Sequence, residues 1–268
     1  MSAARNAAAE PGAVPQELVG KRALVLCGTR GIGLGVARCL AREGAAVTVT
    51  GTDEDRAAKA ADGLPGAGHA SLACDFRDPA GVGERVAGAG PFDIVLLNSP
   101  GAAPRPVDEL SVGDLQQAID VMLLSLHSVV AAVLPGMKQR GWGRLVAVTS
   151  SSLFTPISSL AASSVARSAV ESYLKLLAES AGPFGVTVNH VVPGKVDTDR
   201  LRAVEAATAE RLGTDADAVR ARTLESIPLD RYGTPDDLGE LVAFLASDRA
   251  AYITGTGIRC DGGFAKSL

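Results

Sequence analysis

The chain has 268 residues, of which 47% are apolar, with a formal net charge of −4 and an isoelectric point near 5.5. An α/β chain of this length buries one sizeable core, and we expect one domain over residues 19–268. It contains no run of Lys or Arg. Nothing in its charge therefore favours nucleic acid or an anionic membrane, and we expect a small-molecule partner.

The amino-terminal segment differs from the remainder in composition. Residues 1–18 are rich in Ala, contain Pro11 and Pro15, and lack the apolar segment of a secretory signal, so we interpret them as a disordered tail. No uninterrupted apolar stretch predicts a membrane span. The four cysteines have no Cys-x-x-Cys spacing, which favours reduced thiols in a cytoplasmic protein, and no metal site is predicted.

From Lys21 onward, short apolar segments alternate with longer helical patterns, as in successive βαβ units. We predict seven strands buried on both faces: residues 23–26, 46–49, 69–73, 92–97, 143–148, 186–192 and 256–259. Right-handed crossovers then predict a doubly wound, Rossmann-type parallel sheet with helices on both faces. Ligands of such a sheet bind beyond the carboxyl ends of the strands.

The first predicted strand leads into a glycine-rich turn and then into a helical pattern over residues 34–43. The turn reads Gly28-Thr29-Arg30-Gly31-Ile32-Gly33. Glycines in this position let the backbone approach a pyrophosphate, whose charge is favoured by the N–H groups and dipole of the helix. The strand-turn-helix context predicts a dinucleotide site rather than merely a tight turn. Cys27, next to the turn, is interpreted as a buried spacer rather than a reactive thiol.

Later helical patterns bear on assembly and on the substrate. Residues 111–134 and 157–181 carry small or apolar side chains on more than one face, which predicts burial in the domain or against a partner subunit. Residues 199–226 read as one or two amphipathic helices. They form either a substrate lid or a solvated helical pair on the sheet edge. His127 and His190 are interpreted as packed histidines, although His190 would be able to donate a proton if it faced the cleft.

The order of the motifs resembles the classical short-chain dehydrogenase/reductase family over residues 21–264. The supporting stretches are Arg30 to Gly33, Cys74-Asp75, Asn98-Ser99-Pro100-Gly101, Gly143 to Val146 leading to Ser150, Val188 to Gly194, Tyr252 to Gly255, and Asp261-Gly262-Gly263. The resemblance implies a nicotinamide dinucleotide as cofactor. Asp75 would then contact the adenine and Asn98 would support the cofactor. The nicotinamide would be bordered by residues 193–198, including Pro193, Gly194, Val196 and Thr198.

The choice of nucleotide depends on the end of the second strand. Family members that select NAD carry an acid there, where this chain has Gly51 beside Thr52. Arg30 in the glycine turn is able to meet a 2′-phosphate, so we expect NADP(H) rather than NAD(H). Asp53 has the spacing of a ribose-binding acid, about 20 residues after the turn. We interpret it instead as the cap of the next helix.

The resemblance also implies four catalytic positions, normally Asn, Ser, Tyr and Lys. Carried over by motif, the Ser is Ser150, while Ser163 stands for the Tyr, Arg167 for the Lys and Met122 for the Asn. An aliphatic hydroxyl is a much weaker acid than a phenol, and a guanidinium does not readily shuttle protons. We therefore expect Ser150, Ser163 and Arg167 to form the catalytic site, with cofactor binding better preserved than proton transfer.

Three functions fit this pattern. The first is an NAD(P)H-dependent reductase of a ketone, 3-oxoacyl or polyketide-like, with atypical proton delivery through water or substrate hydroxyls. The second is a non-redox catalyst, such as a cyclase, dehydratase or isomerase, and the third is a catalytically silent nucleotide-binding protein, since fold alone does not fix chemistry. In each case the resemblance implies a homodimer or homotetramer.

Overall fold

The computed structural model of the protein describes residues 16–154 and 156–267. Most of the predicted disordered tail, residues 1–15, lies outside the described residues. For residues 16–18 that prediction is wrong, because Leu18 is only 1% exposed and its N–H donates to the carbonyl of Glu43 at 2.9 Å. The Gln16 side chain donates to the carbonyl of Arg42 at 2.8 Å. Leu18, four residues before the first strand, is thus part of the core.

The core of the fold is a sheet of seven parallel strands, which confirms the predicted doubly wound architecture. Their order across the sheet is β3-β2-β1-β4-β5-β6-β7. The strands are β1 (Arg22–Val25), β2 (Ala46–Gly51), β3 (Ala70–Ala73), β4 (Ile94–Leu97), β5 (Gly143–Val148), β6 (Val186–Pro193) and β7 (Gly257–Cys260). The strand order reverses between β1 and β4, and a crevice therefore opens beyond the carboxyl ends of these two strands.

Nine α-helices connect and flank the strands in the part of the chain that the structure describes. They are α1 (Gly31–Arg42), α2 (Glu54–Asp62), α3 (Pro79–Ala89), α4 (Val112–Ile119), α5 (Ser125–Arg140), α6 (Ala161–Ala181), α7 (Asp199–Leu212), α8 (Ala216–Glu225) and α9 (Pro235–Ala246). A π-helical turn, Asp120–Leu124, joins α4 to α5. Helix α6 begins later than predicted because Leu160 pairs with Arg105 in an isolated bridge.

Apolar side chains cover both faces of the sheet, as the sequence pattern requires. In β1, Leu24 packs into the cluster beneath α3 to α6, whereas Ala23 and Val25 pack on the other face with α1 and α9. Alternate residues of a strand point to opposite faces, so a strand buried on both faces is apolar throughout. The same alternation in β4 places Leu97 on the first face and Leu96 on the second.

The continuous helical segment Val112–Arg140 is 29 residues long and apolar enough, by length and composition alone, to cross a membrane. In this fold it packs against the sheet, and Val129, Val130 and Met137 are buried in the core. A core helix of a globular domain satisfies the same compositional test, so this segment is weak evidence for a membrane span.

Candidate active site

The turn between β1 and α1 brings the amino end of α1 close to the strand. A Cβ atom on Gly33 would lie 2.9 Å from the carbonyl carbon of Cys27 and closer still to its oxygen. Gly31 has a φ of +53°, in the left-handed region that glycine adopts without strain. Arg30 occupies the N-cap position but makes no side-chain capping hydrogen bond. The first amides of α1 therefore remain available to an anionic ligand.

A cleft of about 490 Å³ lies beyond the carboxyl ends of β1, β2, β4, β5 and β6. It brings together fourteen of the sixteen site residues predicted from the sequence. These are Thr29, Arg30, Gly31, Ile32, Gly33, Thr52, Asn98, Ser150, Ser163, Arg167, Pro193, Gly194, Val196 and Thr198. Thr198 faces the glycine turn, since a Cβ on Gly31 would meet its Cγ2 at 3.4 Å.

The two remaining predicted residues lie outside this cleft. Gly28 is buried beneath the turn, where a Cβ would lie 2.9 Å from Val49 Cγ1, so its role is backbone packing. Asp75 lines an adjoining cavity of about 450 Å³, which shares Thr52 and Phe76 with the cleft. Hydrogen bonds from Arg77 to the Asp75 carboxylate hold its pKa below the ordinary value.

Arg167 extends from α6 to the end of β5. Its Nη1 donates to the carbonyl of Val148 at 2.9 Å and to that of Thr149 at 3.2 Å. Burial, with a smaller contribution from Arg200, lowers the pKa of Arg167 to about 10, so the guanidinium stays charged at neutral pH. Nη2 and Nε make no hydrogen bond to the described residues. The side chain is therefore anchored at one nitrogen and retains donors for a ligand.

The two candidate serines line the same cleft in different environments. Ser150 lies two residues beyond β5, and its Oγ accepts the N–H of Ser152 at 3.1 Å, which leaves its hydroxyl proton free to donate. Ser163 lies in the first turn of α6 and is 7% exposed. Met122, the residue at the carried-over Asn position, lines the adjoining cavity instead. It brings no polar group to this site.

No tyrosine lines the cleft among the residues that the structure describes. The Tyr173 hydroxyl lies 3.0 Å from Nδ1 of His127, on the outer side of α5 and α6. The Tyr232 hydroxyl donates to the buried carboxylate of Glu205, and Tyr252 is fully exposed. No phenol is therefore placed to exchange a proton with a substrate in this cleft.

The two histidines, Cys27 and Asp53 lie in four different environments. His190 is buried in β6, with Nδ1 2.9 Å from Thr149 Oγ1; burial lowers its pKa, and it does not line the cleft. His127 is exposed, packs edge-on against the Tyr173 ring and does not line the cleft. Burial raises the pKa of the Cys27 thiol to about 12, as suits a spacer. Asp53 Oδ1 accepts the N–H of Arg56 at 2.9 Å and caps α2, as predicted, at the cleft edge.

Three cations of the cleft, Arg56, Lys195 and Arg200, were not predicted from the sequence. Lys195 follows Pro193 and Gly194 and lines the cleft. Its charge, within the segment predicted to border the nicotinamide, could have indicated this from the sequence. Arg200, in the first turn of α7, lies against the loop after β4, with Cζ 2.7 Å from the Cβ position of Gly101. Helix α7 therefore forms a wall of the cleft. Helix α8 contributes no residue to it and has no buried residue.

A glycine turn at the switch point of a doubly wound sheet, opening on a cleft lined by cations and hydroxyls, defines a dinucleotide-binding enzyme. A family model described as Enoyl-(Acyl carrier protein) reductase matches residues 27–265. The chain is 35% identical over 256 residues to Oxidoreductase UcpA of Salmonella typhimurium, covering 92% of this chain and 95% of the relative. It is 32% identical over 248 residues to the 3-oxoacyl-[acyl-carrier-protein] reductase FabG of Escherichia coli K12, covering 91% and 97%.

Solved structures give the same result. L-sorbose reductase from Gluconobacter frateurii, complexed with NADPH and L-sorbose, superposes with a TM-score of 0.89 at 26% identity. The match covers 95% of this chain and 100% of that one. The chain belongs to the classical short-chain dehydrogenase/reductase family and is an oxidoreductase of that type.

Proposed function

We propose that this protein is an NADPH-dependent reductase of a ketone group. The observation that carries the proposal is the single cleft that joins the glycine turn to Ser150 and Arg167. Its relatives include a 3-oxoacyl reductase and a sugar reductase bound to NADPH, and both names describe reduction. A 3-oxoacyl or polyketide-like ketone is the substrate class we propose.

The residues present fit a nicotinamide dinucleotide. The uncapped amides of α1 suit the pyrophosphate, and Arg30, exposed at the rim, suits a 2′-phosphate. A Cβ on Gly51 would lie 2.6 Å from Thr29 Cγ2, so an NAD-selecting acid at this position would force the Thr29 side chain to move. We propose that the adenine binds in the cavity beside Asp75. Asn98 would support the cofactor from the end of β4.

The chain itself must orient the ketone and supply a proton, while the bound cofactor supplies hydride. Ser150 is free to donate a hydrogen bond to the carbonyl oxygen, and the Arg167 guanidinium offers positive charge on the same wall. Helix α7, within residues 199–226, is the part of the proposed lid that would cover the substrate. We propose that Ser163 and Arg167 occupy the places of the usual Tyr and Lys, so that proton delivery is atypical.

The test is NADPH oxidation by the purified protein with a panel of 3-oxoacyl thioesters and cyclic ketones. Stoichiometric loss of nicotinamide absorbance and formation of one alcohol stereoisomer are expected. Turnover of a substrate with no change in nicotinamide absorbance would favour the cyclase, dehydratase or isomerase alternative. Tight NADPH binding with no turnover across the panel would favour a silent nucleotide-binding protein.

Replacing Arg30 with alanine is expected to change cofactor choice. NADPH affinity should fall about tenfold, the loss typical of one charge-assisted hydrogen bond, while NADH affinity stays near wild type. Parallel fluorescence titrations with both nucleotides measure the effect. An equal loss for both would place Arg30 on the pyrophosphate rather than on the 2′-phosphate, and Arg249→Ala, at a surface ion pair with Glu17 outside the cleft, is the matched control.

We propose that the protein assembles as a homodimer or homotetramer through the two long helical segments. Leu124, Val165 and Leu176 on these segments are 40%, 52% and 67% exposed. Light scattering of the wild type should give twice or four times the 27.3 kDa chain mass. Leu176→Glu should lower that mass, whereas Leu229→Glu, at a residue 63% exposed outside the two segments, should not. A monomeric wild type would contradict the proposal.

We also propose a cytoplasmic location, on the basis of the thiols. Cys27, Cys39, Cys74 and Cys260 are all free. Burial raises the pKa of each one, which keeps the reactive thiolate scarce. Reduced, unpaired cysteines are usual in a reducing compartment. Fractionation of the native host cells tests this location.

A further inference from the structure

Lys195 supplies the only ammonium group among the described residues that line the cleft. It lies just beyond β6, and its backbone is fixed on both sides. The Lys195 carbonyl accepts the N–H of Gly233 at 2.9 Å, and the N–H of Asp197 donates to the Gly233 carbonyl at 2.8 Å. A residue anchored in this way presents its side chain from a defined point on the cleft wall.

The surroundings of the amine leave its N–H donors unused by protein. Nζ lies 5.2 Å from the centre of the Phe264 ring, which comes from the segment after β7. Within the described residues it makes no hydrogen bond or ion pair. The negative charge of Glu205 in α7 favours the ammonium form of Lys195. The Glu205 carboxylate, however, already accepts a hydrogen bond from the hydroxyl of Tyr232. From α6 and α7, Arg167 and Arg200 bring positive charge to the same cleft, and the Asp199 carboxylate of α7 is paired with Arg202.

This environment favours release of a proton from Lys195. Burial lowers the pKa of its ammonium below the ordinary lysine value, and Glu205 opposes that shift only in part. The other proton-bearing groups of the cleft are less suited to this role. The Cys27 thiol has a pKa raised to about 12, and serine hydroxyls are weaker acids still. The Arg167 guanidinium is held by the carbonyls of Val148 and Thr149.

We propose that Lys195 is a catalytic residue that donates a proton to the carbonyl oxygen of the substrate, an inference that rests on the ketone reduction proposed above. As the carbonyl carbon accepts hydride, the π bond to oxygen breaks and its electron pair moves to the oxygen. That oxygen takes one N–H proton from Lys195, which gives the alcohol and a neutral amine. Water then returns a proton to Nζ. This step provides the acid that the absent phenol would otherwise supply.

Two substitutions separate proton donation from simple charge. Lys195→Met removes both the charge and the proton, whereas Lys195→Arg keeps the charge but presents a group that does not act as an acid near neutral pH. Both should lower kcat by about a hundredfold or more, the usual contribution of general acid catalysis. NADPH affinity, measured by fluorescence, should stay near wild type in both variants. Lys59→Met, at an exposed lysine of α2, is the control.

An activity-independent readout is the titration of the Lys195 amine by NMR in isotope-labelled protein, its signal assigned by its loss in Lys195→Arg. The amine should titrate below an ordinary lysine and shift on addition of NADP⁺. In wild type, kcat should fall as pH rises through this same value, and the variants should lack that step. Recovery of activity in Lys195→Arg, or a rise in KM alone, would overturn the proposal in favour of substrate binding by charge.

Failure of the proposed ketone reduction would give a different result from failure of the Lys195 proposal. A wild-type protein that binds NADPH but reduces no ketone would refute the reductase proposal, and the proton-donor role would fall with it. A wild-type protein that reduces ketones while Lys195→Arg does so equally well would refute only the role of Lys195. An ordinary lysine titration that does not respond to NADP⁺ would also refute only that role.

Discussion

Replacing Gly33 with alanine is expected to lower the free energy of unfolding by about 2–3 kcal/mol and to weaken NADPH binding more than tenfold. The added methyl would meet the carbonyl of Cys27 and, at 3.0 Å, the Cα of Gly28. These are backbone atoms, which cannot rotate away as a flexible side chain can. Helix α1 would have to move away from β1, and its first amides would then leave the position that suits a pyrophosphate.

Urea unfolding and NADPH fluorescence titration measure the two effects of Gly33→Ala. Gly88→Ala is the matched control, because Gly88 lies in α3 and its Cβ would meet nothing within 4 Å. That change should be neutral or should stabilise the fold by up to about 1 kcal/mol, the helix-propensity difference between the two residues. If Gly33→Ala were as stable as Gly88→Ala and bound NADPH normally, the close approach of α1 would not matter.

The sheet was predictable because burial on both faces leaves a plain signal. Residues such as Leu24 and Val25 are apolar at successive positions, as expected of a short strand covered by helices on both sides. The predicted strands agree with the observed ones to within two residues at each end. The glycine turn was equally predictable, because the close approach of Gly33 to the backbone of Cys27 excludes any side chain.

Other features depend on which side of a helix faces the sheet and on which distant segments make contact. The periodicity of the sequence does not determine either. The exposure of His127 follows from which side of α5 faces the sheet, and an apolar helix with two buried sides hides that choice. Lys195 belongs to the cleft because its backbone pairs with Gly233, a contact between segments far apart in the chain. The burial of Leu18 likewise depends on its contact with Glu43. These are tertiary effects, and they override local pattern.

Arg167 was predictable from the sequence only in part. Its position was predicted from motif order, but its contacts with the carbonyls of Val148 and Thr149 were not. A long side chain in the first half of α6 is able to reach either the cofactor or the strand end, and the sequence does not distinguish them. The structure shows the guanidinium bound to the strand end through Nη1. One residue therefore contacts the β5 terminus and also lines the cleft.

Arg167→Met is accordingly expected to lower both stability and cofactor affinity. Two carbonyl groups lose their donor, which should lower the free energy of unfolding by about 1–3 kcal/mol. Loss of the positive charge and of the free Nη2 and Nε donors should weaken NADPH binding by about ten- to a hundredfold. Urea unfolding and fluorescence titration report the two losses separately. Arg249→Met, at a surface ion pair with Glu17, is the control and should change neither appreciably.

Arg167→Lys separates the two roles, because it keeps the charge but lacks the planar fork of donors. A lysine can satisfy a strand-end carbonyl or approach the ligand, but it cannot do both in the geometry of the guanidinium. We therefore expect stability and NADPH affinity between those of Arg167→Met and wild type. If Arg167→Met lost stability yet bound NADPH as wild type does, Arg167 would be only a support for β5. The cofactor would then depend on Arg30 and on the amides of α1.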